Sequence, residues 1–327
     1  MAPPAPLAFD AHPAAWLAVA VAMAAVVLAH RHLQRRSGGR SPWGRRRLAA
    51  FVGGGTALLV ALTWPLADLA RHWSLTMLVT QRLLLMLLAA PLLWIGLPDD
   101  VLAALTRPPP VDALLARLQR PPVAVVVVTA VSIGSMTPGL VRLEATSLVA
   151  RGTIDAVVVL AGVVLWLPVI GRLPGTPRPK PIVRFGYLVF QAVVPAFLSF
   201  IYIFSTHPLY RTFAGSKAAL HLRPLTDQQV AGFVSKLSLL IVLLTVGSVV
   251  LARASVTEDD TVDEPLIWSD VERAFERADR RRRRAGGSAL GADPPANQEP
   301  PGGPEPPPPD RPRSQPDRRG PGESDAP

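Results

Sequence analysis

An all-α fold, a polytopic transmembrane helix bundle of about seven spans, is predicted by three observations. The chain of 327 residues is 49% apolar with a mean hydropathy of +0.30, too apolar for an ordinary soluble domain. Its apolar residues fall in blocks long enough to cross about 30 Å of hydrocarbon. The Arg residues gather in alternate connections between the blocks, which places the N-terminus outside and the C-terminus inside. The net charge of +10 and the pI near 11.1 are therefore a topology signal, and no nucleic-acid partner is expected. Cysteine is absent, which excludes disulfides, thiolate metal sites and thiol nucleophiles.

The N-terminus has no basic region ahead of its apolar run, about Ala14 to Ala29, and the charges come after it. That order describes a retained first span, not a cleaved signal peptide. Span two, about Leu48 to Leu66, contains Gly53-Gly54-Gly55, which lets a neighbouring helix approach, and ends at Trp64-Pro65. Asp68, Arg71 and His72 are expected in a short external turn. Span three lies within Arg71 to Pro98 and carries Gln81 and Arg82 about 12 Å along its axis. On a helix Leu78, Arg82 and Met86 share one face and Met77, Gln81 and Leu85 the next, so the polar pair can point into the bundle.

After span three the chain breaks at Pro108 to Pro110, which suits two short helices at the cytoplasmic interface. Span four begins at about Val123 and frays near Thr137-Pro138-Gly139, leaving Arg142, Glu144 and Arg151 in an external loop. Span five covers about Thr153 to Ile170, with Asp155 in its first turn. Span six, about Phe185 to Phe204, contains Gln191 and a kink at Pro195, whose freed carbonyl must face protein or water. Span seven runs from about Gly232 to Leu251 with Lys236 one turn in.

The transmembrane domain thus occupies residues 1–253. Residues 254–284 form a cytoplasmic acidic segment, a helix opened by the capping box Ser269 to Glu272 with Trp268, Val271 and Phe275 on one stripe, and the basic run Arg280 to Arg284, suited to anionic lipid headgroups. Residues 285–327, rich in Pro and Gly, are expected to be disordered.

Six residues make a candidate polar pocket: Gln81, Arg82, Asp155, Gln191, Lys236 and Asp227. A buried charge at membrane depth costs about 3 kcal/mol or more, so an Arg82–Asp155 pair is the cheapest arrangement. The alternative for Arg82 and for Lys236 is snorkelling to the outer headgroups. Soft metal ligands are limited to Met23, Met77, Met86 and Met136 and to His12, His30, His32, His72, His207 and His221, which form no spacing motif. No constellation of nucleophile, base and orienting acid appears, nor a phosphate-binding loop, so the protein is not expected to be an enzyme.

The run WPLADLARHWSLTMLVTQRLLLMLLAAPLLWIGLPDD, followed by LWLPVIG, HPLYRTF, TDQQVAG and WSDVERAFERADRR, resembles the bacterial cytochrome c oxidase assembly factors of the CtaG, caa-type family over roughly Leu48 to Arg284. The resemblance implies a seven-helix plasma-membrane protein acting as an oxidase assembly or accessory factor, linked to copper-centre maturation, with terminal oxidase subunits or other assembly factors as partners. That family's helix three has a His-Met-x-x-His run, whose positions are Leu78, Val79 and Arg82 here, and helix five has His-x-x-Glu-His, here Arg151, Ile154 and Asp155. Copper is therefore an implied cofactor whose usual imidazoles are missing, and no metal ligand carries over. The alternative function is a small-solute or ion permease whose path is lined by Arg82, Asp155, Gln191 and Lys236, although no internal repeat accompanies it.

Overall fold

A computed structural model describes residues 9–37, 43–173, 178–213 and 223–262, and every regular element among these residues is helical. Five helical stretches are long and apolar enough to cross a membrane, or seven when each of two bent pairs counts as one span. This is the polytopic bundle expected from the hydropathy pattern. The surfaces of its first and last spans are rich in exposed apolar side chains, such as Trp16, Leu17 and Leu28 on one and Phe233, Leu237 and Ile241 on the other. Such faces suit lipid as solvent.

The first span is α1 (Pro13–Ser37). It is followed by α2 (Arg45–Leu62), a cis peptide bond at Trp64–Pro65, and α3 (Leu66–His72), bent by 41° from α2. Asp68, Arg71 and His72 therefore lie on a short helix and not in the expected turn. The helix follows from the residues after Pro65: it re-starts the chain and Ala67, Leu69 and Ala70 pack inward.

Span three, Leu75–Gly96, is composite: α4 (Leu75–Leu83), a π-helical segment Leu84–Ala89 and α5 (Ala90–Gly96). A π turn widens the hydrogen-bond ring and upsets the carbonyl pattern of the helix. The Trp166 indole N–H donates to the Met86 carbonyl inside that segment at 2.9 Å. Two glycines of neighbouring helices press on the same span. A Cβ on Gly54 of α2 would lie 2.8 Å from the Leu93 nitrogen, and one on Gly162 would lie 2.9 Å from the Met86 Cα. Contact between backbones at these points requires glycine.

The two short helices predicted around Pro108 are α6 (Asp99–Leu105) and α7 (Pro109–Leu118). Next come α8 (Pro121–Ser135), bent by 86° from α7, and α9 (Pro138–Thr146), where the sequence suggested an open loop. Span five is α10 (Leu148–Ile170), starting earlier than Thr153, so Arg151 belongs to the helix. It ends at Gly171, whose positive φ of 57° closes the helix in the left-handed conformation.

Span six breaks at Pro195 into α11 (Pro181–Val193) and α12 (Ala196–Phe204). The last helix, α13 (Pro224–Val262), starts well ahead of Gly232 and takes Asp227 into its first turn. The Ser269 capping box, the Arg280 to Arg284 run and the Pro-rich tail lie outside the described residues. Three apolar clusters hold the bundle among the described residues, the smallest joining Ala61, Leu85 and Val158. Of the larger two, the first joins Trp94, Leu165, Trp166, Leu188 and Leu243; the second joins Leu75, Leu78, Tyr202, Tyr210 and Phe213.

Candidate functional site

Arg82 ends the first helical section of span three with 5% of its surface exposed. Its Nη1 donates to the Asp155 carboxylate at 2.8 Å and its Nη2 to the carboxylate of Glu144. Arg151, one turn before Asp155 on α10, places its Nε 3.9 Å from the other Asp155 oxygen and donates through Nη2 to the Ala67 carbonyl at 2.7 Å. Arg71 on α3 reaches the Ala145 carbonyl at 3.2 Å. Two guanidinium groups and two carboxylates thus balance in a buried cluster that ties α3, α4, α9 and α10 together. Burial pushes the Glu144 carboxyl above the usual glutamate range, with the Arg82 charge working in the opposite direction.

The elements dictate this meeting. Ser147 caps α10 by accepting from the Ala150 N–H, which fixes where that helix begins and sets Asp155 two turns inside. Val141, Glu144 and Ala145 are the buried residues of α9, one helical stripe, so the carboxylate is turned inward with its apolar neighbours. That stripe, legible in PGLVRLEAT, is the signal by which Glu144 could have been found.

The six residues expected to form one polar pocket are distributed. Gln81 is 2% exposed and its Nε2 donates at 2.9 Å to the Ala61 carbonyl, one of the acceptors left open at the end of α2. Gln81 and Asp155 line a small void with Glu144 and Arg151, whereas Arg82 and Gln191 line a second, larger cavity. Asp227 lies in neither. Its carboxylate accepts from the Ser74 hydroxyl and the Leu75 N–H, each at 2.7 Å, and so holds the open N-terminus of α4. Lys236 is also in neither; its ammonium sits 3.8 Å from the centre of the Phe200 ring.

The family model described as cytochrome c oxidase caa3 assembly factor, Caa3_CtaG, matches residues 13–256. The chain belongs to the Caa3_CtaG family. The match takes in the first span, which the resemblance over Leu48 to Arg284 left out, and stops before the Ser269 capping box. No curated protein and no solved structure matches the chain. Membership assigns this multi-pass protein to the assembly of cytochrome c oxidase, with the terminal oxidase or its assembly machinery as the interacting system. The permease alternative draws no support from it.

In this Caa3_CtaG protein the residues foreseen as metal candidates are spread over several places among the described residues. Met86 and Met136 both line the larger cavity, Met77 packs with Met136 in the second apolar cluster, His207 is exposed, and His221 lies outside the described residues. His30 is buried near the end of α1 and bonded through Nδ1 to Asp100 at 2.7 Å and through Nε2 to Gln34 at 2.9 Å. Among the described residues, ligand-type atoms converge in one group of three, Asp10, His12 and Asp68, within 4.8 Å of one another. Sequence spacing hid that group, because Asp68 joins it from beyond the second span.

The opposite ends of spans three and five carry a second ionic group. Arg172, just past α10, donates at 2.7 Å to the carbonyls of Trp94 and Ile95, at 2.8 Å to that of Leu97 and at 2.6 Å to Asp99. Asp99 also pairs with Arg47. Burial alone would raise the Asp99 carboxyl, but the hydrogen bonds from Arg47 and Arg172 hold it below the usual aspartate range.

Proposed function

We propose that this protein is a non-catalytic plasma-membrane accessory factor that supports maturation of the oxidase copper centre without holding copper at the Arg82 and Asp155 positions. The observation that carries this reading is the buried cluster itself. Where the resemblance expects imidazoles stand Arg82 and Asp155, and the Arg82 guanidinium is clamped between the carboxylates of Asp155 and of Glu144 from α9. A cuprous ion needs soft or imidazole donors, and a cation beside Arg82 would meet repulsion as well as hard oxygen ligands. The cluster instead acts as a rigid joint between spans three and five, presenting the adjoining outer surface to oxidase subunits or to another assembly factor. In this reading the N-terminus lies outside and the C-terminus inside, and the Arg280 to Arg284 run meets anionic headgroups.

Deletion is expected to lower assembled oxidase activity and the oxidase absorption spectrum while oxidase transcript stays constant. An unaltered spectrum in the deletion strain would overturn the assembly role. The copper statement has its own test. The Arg82→His/Asp155→His variant is expected to hold about one equivalent of copper more than the purified wild type; equal copper in the two contradicts the proposal.

A further inference from the structure

Gln191 plays no part in the assembly role described above. It lies within the span Pro181–Phe204, is 1% exposed, and neither its Oε1 nor its Nε2 has a hydrogen-bond partner among the described residues. The neighbouring Tyr187 hydroxyl donates to the Leu165 carbonyl at 2.9 Å; its oxygen lies beside the Gln191 amide but short of a well-formed hydrogen bond. The Nε of Arg82 is likewise buried without a partner. Amide and guanidinium groups left open in a hydrocarbon interior are costly unless something fills their hydrogen bonds.

Both side chains line the larger cavity, which is open on one side. The rest of its wall is largely apolar, with Val128, Leu165, Leu239 and Leu243 among its residues. An apolar cavity with a few polar groups in its wall suits a molecule with an apolar body and one polar head. Charge narrows the head group. Arg82 is already paired with Glu144 and Asp155, and with Arg151 the cluster sums to zero, so an ionic head would enter without compensation. A neutral carbonyl accepts hydrogen bonds from an amide and a guanidinium without adding charge.

We propose that this cavity binds a membrane-soluble molecule whose neutral carbonyl head is held by Gln191 and Arg82 and whose apolar chain lies against Val128, Leu239 and Leu243. Two sources carry that chemistry: an isoprenoid quinone and the ester carbonyl of a diacyl lipid. The inference does not rest on the assembly role.

The test titrates the full-length protein in detergent with a radiolabelled short-chain quinone, a short-chain phosphatidylcholine and an alkane of matching length. Saturable binding of the quinone assigns the quinone pool as the source, and saturable binding of the phosphatidylcholine assigns the lipid. Gln191→Leu is expected to weaken the carbonyl ligand about tenfold, the worth of one hydrogen bond, and to leave the alkane unchanged. Ser235→Phe, which puts a ring into the cavity, is expected to abolish both. Absence of saturable binding of either carbonyl ligand to the wild type overturns the proposal, as does an equal loss of alkane and carbonyl binding in Gln191→Leu. Mass spectrometry of an organic extract of the purified wild type is a check independent of variant folding: a stoichiometric carbonyl compound is expected, and its absence refutes the assignment.

Discussion

Spans three and five are joined by ion pairs at both ends, and the two joints differ in kind. Near their starts, Arg82, Glu144 and Asp155 have side-chain exposures of 6%, 7% and 9%. Past their ends, Arg172 and Asp99 are 12% and 63% exposed, and Arg47 of α2, which also pairs with Asp99, is 42% exposed. Water competes for the second group and cannot reach the first, so removing one member of the buried cluster leaves a charge with no solvent to receive it. The same residue types thus lock the helices together at one end and merely decorate them at the other, apart from Arg172, which also closes three helix carbonyls.

The largest effect that bears on this contrast is expected from Arg82→Met. Leaving Glu144 and Asp155 without their partner should destabilise the protein by about 3–5 kcal/mol, read as a lower midpoint of thermal aggregation in detergent. Arg82→Met/Glu144→Leu, which leaves Asp155 with Arg151, should recover most of the loss; equal damage in both variants would mean that the cluster acts through shape and not charge. Asp227→Ala comes next, at about 1–3 kcal/mol, because the hydroxyl and amide donors at the start of α4 stay buried without an acceptor. Arg172→Ala should cost about 0.5–1.5 kcal/mol, for carbonyls that regain water more easily.

Arg47→Ala should have the smallest effect, about 0.2–1 kcal/mol. That difference should fade in 1 M salt, where screening acts within about 3 Å, whereas the Arg82→Met effect should persist. A salt-insensitive Arg47 or a salt-sensitive Arg82 would erase the distinction between the two ends.

Much of the bundle was readable from the chain. Apolar runs located each span, the triple proline located α6 and α7, and Pro195 located the break in span six. The depth of Arg82 and Asp155 made their pairing the inexpensive choice, and the structure has that pair. Glu144 reads as external loop in the sequence because Thr137-Pro138-Gly139 looks like the end of span four, whereas the structure has it on α9. Asp227 reads as part of the external segment ahead of span seven, whereas the helix of the structure reaches back to Pro224 and takes it in. The π segment of span three has no sequence signature, since LLMLLA reads as ordinary helix; in the structure Trp166 and Gly162 of α10 pack against it.

Local hydropathy alone decides how many times this chain can cross a membrane, because each apolar run must leave water whatever its neighbours do. Which polar side chains meet was decided by packing. Glu144 reaches Arg82, and Gln191 faces an unfilled cavity, only because helices distant in sequence are pressed together, and in hydrocarbon a polar group takes its meaning from the partner it finds or lacks.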